Sequence, residues 1–321
     1  MTNLLNRAKQ RLQFLWQADR LLTATGLAML PLLAIFLVGL VVDSRVVTGA
    51  PVWLKPAKFA ASIAIYTLTL AWAFSYLSDW RRVRAVVGWT TAIVLIVEMA
   101  IIAAQAARGT TSHFNVSTPL DGALFSIMGA AIALQTLMSV GAAVALWRAR
   151  FDDAAMGWAL RFGLTIAILG ASTGGLMARP TDAQLAALRA SAPVAVVGAH
   201  TVGAVDGGPG LPGTGWSIEH GDIRVSHFVG LHAFQALPLV ALLLRRRNWD
   251  DLTRTRATLV ASVSYAALVA ILLWQALRGQ SIVRPDAMTL EALGVWALIT
   301  VVALTLTTLR RRLTSSAALQ L

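Results

Sequence analysis

The sequence predicts an all-α integral membrane protein, a polytopic helical bundle with about eight transmembrane helices. Of its 321 residues, 57% are hydrophobic and only 13% are charged, and the mean hydropathy is +0.68. Water-soluble domains carry about 25% charged residues, so this composition argues against a soluble globule. The absence of Cys excludes structural disulfides, thiolate zinc sites and Cys-ligated iron–sulfur clusters.

Eight stretches contain the roughly 20 mostly apolar residues that a helix needs to cross a bilayer. They cover residues 21–42, 57–79, 85–107, 121–147, 157–178, 226–244, 257–277 and 289–309. We therefore expect residues 21–321 to form a single transmembrane bundle. Residues 1–20 precede the spans, and their apolar face lies opposite a basic face. This pattern predicts an amphipathic helix at the membrane surface.

Basic residues are distributed unevenly over the loops between the predicted spans. If the N-terminus is cytoplasmic, 18 of the 27 Lys and Arg residues share the cytoplasmic side with six acids, so that side carries the whole net charge of +12. The positive-inside rule then places both termini in the cytoplasm. Membrane topology accounts for the charge, and no nucleic-acid partner is expected. Arg outnumbers Lys by 24 to 3, which hints at a GC-rich bacterium and hence at the bacterial cell (inner) membrane.

Residues 179–225 form the long extracytoplasmic loop of this topology, and long loops in compact proteins are often functional. The pair Thr181–Asp182 predicts a helix start before residues 184–189. The apolar run 192–199 is too short to span the membrane, so we expect it to dip into the protein or to cap it. The glycine-rich stretch 207–215 lacks the Lys and the preceding strand of a phosphate loop, which excludes a nucleotide site there.

All the histidines lie on the predicted outer side: His113, His200, His220, His227 and His232. His227 and His232 are five residues apart, about 140° around a helix, so one helix cannot direct both at a single point. We expect His232 to face the bundle, with Gln235 one turn deeper on the same side. His227 would then serve a neighbouring site, and His200 would be an ordinary surface or hydrogen-bonded residue.

Further polar side chains lie inside the predicted spans. Glu98 and Gln105 are seven residues apart and share a face of the third span, and Asp121 and Gln135 share a face of the fourth. Polar groups within spans usually face the bundle interior, so we expect a polar column that leads from the outer histidines to Glu98 near mid-membrane. Burial favours a protonated Glu98 unless a cation or a protonated His lies close. Glu98 is then either a proton relay for the histidine site or an acid satisfied by a neighbouring helix.

The histidine-rich outer face predicts a metal or haem site, because imidazole is the commonest metal ligand. The candidate metal ligands are His113, His220, His227 and His232. Haem b needs two imidazoles from different helices, and His113 or His227 opposite His232 would supply them. Arg108 and Arg224 would pair with the haem propionates.

A non-haem site for copper, iron or zinc is also open. Three of the histidines would bind the metal, and Glu219 or Asp222 would complete the ligand set or act as general base. With Glu98 as the proton relay, the candidate catalytic residues are Glu98, Glu219 and Asp222. A membrane oxidoreductase, which exchanges electrons with a donor or a quinone, is favoured over a zinc hydrolase.

Two functions without a metal remain. In a proton-coupled transporter, Glu98 would titrate and the histidines would form an outer gate. In a structural membrane protein, the same residues would have no chemical role. Metal or haem binding ranks first because the polar residues concentrate at one face, whereas a transporter is expected to show comparable features on both. Gly170 and Gly174 form a small-xxx-small pair that predicts close helix packing.

Overall fold

The computed structural model describes the backbone of residues 2–318 and the side chains of residues 5–309. The regular secondary structure of this part of the chain consists of helices and four strands of two residues each. The helices are α1 Thr2–Ala18, α2 Arg20–Val42, α3 Leu54–Phe74, α4 Arg81–Ala107, α5 Pro119–Arg148, α6 Ala154–Ser172, α7 Gly174–Met177, α8 Asp182–Arg189, α9 Ile223–Arg245, α10 Asp251–Leu277 and α11 Ala287–Ala318. The strands are β1 Val46–Val47, β2 Ala50–Pro51, β3 Thr201–Val202 and β4 Gly221–Asp222, paired as antiparallel β1–β2 and β3–β4.

Within the described residues, eight helices are long and apolar enough to cross a membrane, which confirms the predicted number. They are α2, α3, α4, α5, α6 extended by α7, α9, α10 and α11. The second predicted span, 57–79, is displaced. Its helix begins at Leu54, since Lys55 and Pro56 belong to the first turn, where Pro is tolerated. It ends at Phe74, where the Ser75 hydroxyl donates to a carbonyl of the last turn and the chain turns away.

The described chain divides into two compact units. The first unit runs from the N-terminus to Ala145 and includes Met177–Ala199 and Val205–Gly215. In it, α2 packs along α3, and both contact α4. The apolar core of this unit contains Met29, Phe36, Ala60, Ile63, Met99, Ile102 and Met128. Large apolar side chains of α1 are exposed, among them Leu5, Leu12, Phe14 and Trp16, as expected for a helix that lies on a membrane.

The second unit comprises Leu146–Leu176, His200–Ala204 and the chain from Trp216 onward. Its main contact joins α6 to α9, and α10 packs against both. A Cβ added at Gly170 would lie 2.7 Å from the backbone of Gly230, so the two helices meet backbone to backbone. This approach confirms the close packing predicted from Gly170.

The long segment after α7 is ordered by local hydrogen bonds. Thr181 caps α8 in a capping box with Gln184, as the sequence predicts. The apolar run 192–199 caps the first unit: Val197 N–H donates to Phe114 O over 2.8 Å, and Val116 N–H donates to Ala195 O over 2.9 Å.

In each unit, one acidic side chain stabilises a loop by accepting hydrogen bonds. In the first unit, the Arg45 guanidinium and the Trp53 indole N–H donate to Asp43, and they hold the pKa of Asp43 well below its usual range. In the second unit, Arg278 and Thr289 do the same for Asp286, whose pKa is also lowered well below its usual range. Both carboxylates lie next to spanning helices, so the two pairs offer a matched comparison.

Candidate functional site

Three titratable side chains meet in the first unit. Lys55 lies in the first turn of α3, and Glu98 lies nine residues before the end of α4. His113 lies on the loop 108–118 between α4 and α5. Its imidazole bridges the other two groups, because Lys55 Nζ is 3.0 Å from His113 Nδ1 and His113 Nε2 is 3.4 Å from Glu98 Oε1.

The backbone of loop 108–118 turns back so that His113 reaches Glu98. Gly109 has a φ of +71°, and the next positive value is +64° at Phe114, directly after His113. A bulky residue in the left-handed region is uncommon and persists only when its surroundings hold it there. The bonds from the run 192–199 and the burial of the Phe114 side chain supply that support.

The chemistry of the neighbours assigns the protons of His113. A Lys ammonium has only donors, so Nδ1 of His113 accepts from Lys55 and the ring proton lies on Nε2, facing Glu98. The His113 side chain is 24% exposed, whereas that of Glu98 is 2% exposed. Both oxygens of Glu98 are buried and have no hydrogen-bond partner among the described residues. The imidazole thus stands between a buried carboxyl group and a more accessible region, which suits proton transfer.

A separate polar network lies nearer the end of α4. The Gln105 amide donates to Asp121 Oδ1 over 2.8 Å, and Arg108 Nη1 donates to the same oxygen over 2.7 Å. Arg108 also donates to Oε1 of the Gln105 side chain, and the Thr118 hydroxyl donates to Asp121 Oδ2. Gln105 therefore joins α4 to α5 through Asp121. Arg108, predicted to pair with a haem propionate, has Nη1 engaged in this network.

A third polar cluster joins α3 to α5 deeper in the first unit. Tyr66 Oη lies 3.2 Å from Ser139 Oγ, and the Gln135 amide donates to Tyr66 Oη over 3.3 Å. Gln135 and Ser139 are buried. Oε1 of Gln135 and Oγ1 of Thr91 on α4 are buried without a hydrogen-bond partner within the described residues.

In the second unit, His227 on α9 contacts α6. Its Nδ1 is 2.8 Å from Gly170 O and 3.2 Å from Thr173 Oγ1. A carbonyl oxygen can only accept, so Nδ1 carries the proton and Nε2 of a neutral imidazole keeps its lone pair. Metal-binding histidines commonly donate their other ring N–H to a backbone carbonyl in this way. A Cβ added at Gly174 would lie 3.6 Å from the imidazole.

The other predicted residues of α9 and its approach have mainly local partners. The His232 ring packs against Phe228 with centroids 4.3 Å apart. Asp222 caps α9 by accepting from the N–H of Arg224, and it also accepts from the Arg224 guanidinium over 2.6 Å. Glu219 is exposed. The backbone N–H of His220 donates to Ser217 Oγ, and the backbone carbonyl of His200 accepts from the N–H of Ile223.

The predicted histidine site is divided between the two units. His113 belongs to the first unit, and His220, His227 and His232 belong to the second. Within residues 5–309, no group of three or more His, Asp or Glu side chains is arranged to hold a metal ion. The convergence of His113, His227 and His232 stays a prediction. No family model, curated protein or solved structure matches the chain. Function therefore has to be inferred from the residues and contacts of this chain alone.

Lys55 is the site residue that sequence reasoning missed. The predicted second span began at residue 57, which left Lys55 in a loop. A signal was present: only three Lys residues occur in the chain, and Lys55 and Lys58 lie at the start of one apolar segment. Basic groups at the edge of a predicted span are usually read as interfacial anchors. Only the turn of loop 108–118 shows that Lys55 contacts a histidine.

Proposed function

We propose that the chain is a proton-coupled membrane transporter in which Glu98 binds and releases the coupling proton. The observation that supports this most strongly is the environment of Glu98, a buried carboxyl group on a spanning helix. Among the described residues neither of its oxygens has a hydrogen-bond partner, and the imidazole of His113 is 3.4 Å away. We place the protein in a bacterial cell membrane with both termini in the cytoplasm, on the basis of its basic loops.

The arrangement supports proton exchange between Glu98 and His113. An ionised carboxylate at mid-membrane costs roughly 2.5–3.5 kcal/mol on insertion scales. A proton passed from His113 Nε2 to Glu98 would neutralise that charge while Nδ1 takes a proton from the Lys55 ammonium, so that the imidazole stays neutral. Lys55 would then regain a proton from the more accessible side of this group. Lys55 provides the compensating positive charge whenever Glu98 is ionised.

The other helices packed on α4 add no competing charge next to Glu98. The only charged residue of α2 is Arg20, at the opposite end of that helix from the His113 loop. On α5, Asp121 is engaged by Arg108 and Gln105, and the remaining charged residue is Arg148 at the far end. Loading and unloading the proton therefore changes the net charge of the Lys55–His113–Glu98 group by one. Such a change can bias a conformational equilibrium and so drive coupled transport.

Infrared spectroscopy of the purified protein in lipid nanodiscs tests this role. A protonated carboxyl group has a separate C=O stretching band, and we expect one that appears and disappears as the pH is varied. Glu98→Gln should remove that band, whereas Glu291→Gln, an exposed acid of α11, should leave it. If the band is unaffected by Glu98→Gln, Glu98 does not carry the proton.

The proposed topology has its own test, because the chain contains no Cys. Gly210→Cys in the 207–215 stretch should react with a membrane-impermeant maleimide added outside intact cells. Reaction only after the cytoplasmic side is opened would reverse the orientation.

Binding of haem b, copper, iron or zinc, with oxidoreductase activity toward an electron donor or quinone, is the second candidate. His227 favours it, since its Nδ1–H is held by a carbonyl and its Nε2 is the ring nitrogen suited to a metal. A second ligand would have to come from another helix, because His232 lies about 140° around α9 from His227.

A visible absorption spectrum and a metal analysis of one purified sample test this candidate. Haem gives a Soret band, and non-haem metal gives stoichiometric metal without one. Either signal should be lost in His227→Ala but kept in His200→Ala. A sample without haem or metal would remove this candidate.

A further inference from the structure

Buried polar groups continue along α4 beyond Glu98, on the side away from the His113 loop. Thr91 precedes Glu98 by seven residues, about two helical turns or ~10 Å, and so lies on the same face of α4. Thr91 is 0% exposed and Glu98 is 1% exposed. Thr91 Oγ1 has no hydrogen-bond partner within the described residues, like both oxygens of Glu98.

The third polar cluster, formed by Tyr66, Gln135 and Ser139, lies at the same level along the helix axes as Thr91. The Gln105–Asp121 bond fixes the relative level of α4 and α5. Gln135 follows Asp121 by fourteen residues along α5, and Thr91 precedes Gln105 by fourteen along α4. Since the chain reverses between these helices, both residues lie ~21 Å from the bond. Tyr66 reaches this level from α3, because it bonds to Gln135.

The chemistry of this cluster suits a hydrogen-bonded path for protons. Hydroxyl groups both donate and accept, so Thr91 and Tyr66 can each take part in a chain of hydrogen bonds. Ser139 Oγ donates to the backbone carbonyl of Gln135 over 2.9 Å and serves this cluster as an acceptor. The Gln135 amide donates to Tyr66 while its buried Oε1 remains available as an acceptor. In an apolar bilayer core, polar groups used only for helix packing are expected to pair with one another. Glu98, Thr91 and Gln135 instead carry buried oxygens that lack a hydrogen-bond partner in the described part of the chain, which indicates that a hydrogen-bond donor enters this column.

We propose that the proton path of the first unit continues from Glu98 through Thr91 and the Tyr66–Gln135–Ser139 cluster, so that it crosses the membrane. This inference rests on the proposed proton exchange at Glu98 and extends it to the opposite side of the bilayer. The loop carrying His113 is one mouth of the path. The ends of α3 and α5 beyond Tyr66 and Ser139 lead to the other.

Proton flux into liposomes tests the path without knowledge of a transported substrate, because a path that crosses the membrane lets protons leak down their gradient even when no substrate moves. The protein is reconstituted with a trapped pH-sensitive dye, and a potassium gradient with valinomycin drives protons inward. We expect Gln135→Leu and the isosteric Thr91→Val each to slow the flux by about tenfold or more. Thr136→Val is the matched control, because Thr136 neighbours Gln135 and its hydroxyl donates to the carbonyl of Ile132 in its own helix over 2.8 Å.

The infrared band of Glu98, measured on the same variants, separates this inference from the proposed function. If the band still responds to pH while Gln135→Leu and Thr91→Val conduct as well as Thr136→Val, the path is wrong and the proton exchange stands. Flux that falls in these two variants but persists in Glu98→Gln would refute both the role of Glu98 and a path that starts from it. A wild-type protein that conducts no protons overturns the path.

Discussion

Each unit contains a partly buried histidine in contact with a long apolar helix, but the histidines have different partners. His113 lies between two side chains that can carry charge, Lys55 and Glu98. His227 donates to an uncharged backbone carbonyl at Gly170. The first arrangement allows a proton to move, whereas the second fixes one tautomer and leaves Nε2 for a ligand. The partners of a histidine, rather than its burial, thus decide which chemistry it suits.

Replacing Lys55 should have the largest effect on the first unit. Lys55→Met removes the cation beside His113 Nδ1 and leaves the Ser112 hydroxyl, which is 3.1 Å from that nitrogen and can donate or accept. The ring proton then no longer has a fixed position on Nε2. We expect proton flux into liposomes to fall by about a hundredfold, within the usual range for loss of a proton-transfer group. The control is Lys58→Met, since Lys58 is exposed and donates to the Thr214 carbonyl. Equal losses in both variants would mean that only the charge at this end of α3 matters.

Crowding the α6–α9 contact should affect the second unit strongly. Gly170→Ala places a Cβ against the backbone of Gly230, and overpacking of this kind costs roughly 1–3 kcal/mol. We expect a lower midpoint of thermal unfolding in detergent, with the infrared band of Glu98 unchanged. Gly175→Ala serves as the control, because nothing lies within 4 Å of its added Cβ. A Gly170→Ala protein as stable as Gly175→Ala would contradict the close approach of the two helices.

The sequence predicts the fold better than the site, and the reason is physical. Span length and hydropathy are local properties of the sequence, so the number of long apolar helices, eight, agrees with the number predicted. The capping pair Thr181 and Gln184 is likewise local. The contacts of Glu98, in contrast, depend on how loop 108–118 folds back. The positive φ of Phe114 in that loop cannot be predicted from the residue type. Gln105 shares a face with Glu98 as predicted, yet Asp121 and Arg108 engage it, a pairing that periodicity alone does not reveal.

Removing one of the two loop-stabilising carboxylates, Asp43 or Asp286, should have the smallest effect on the protein. The pKa values of Asp43 and Asp286 are lowered, chiefly by the neighbouring Arg45 and Arg278. A carboxylate with a depressed pKa stabilises the folded state above its unfolded pKa of about 4 and loses that contribution only as pH falls through the lower folded value. Asp43→Asn and Asp286→Asn should therefore lower the melting temperature slightly at pH 7.

The same small difference should persist down to about pH 4 and shrink only at more acidic pH. Melting curves measured across this range compare the two units directly. A difference that already disappears near neutral pH would show that these carboxylates are not held ionised by their Arg partners.

The central claim is that Glu98 and His113 share one exchangeable proton. The most direct measurement is an infrared pH titration of the Glu98 carboxyl band in the wild-type protein and in His113→Gln, which keeps a polar side chain but cannot titrate. If the two groups are coupled, the midpoint of the Glu98 transition moves by about one pH unit or more when the imidazole is removed. The same midpoint in both proteins would contradict the coupling and leave Glu98 as an isolated buried acid.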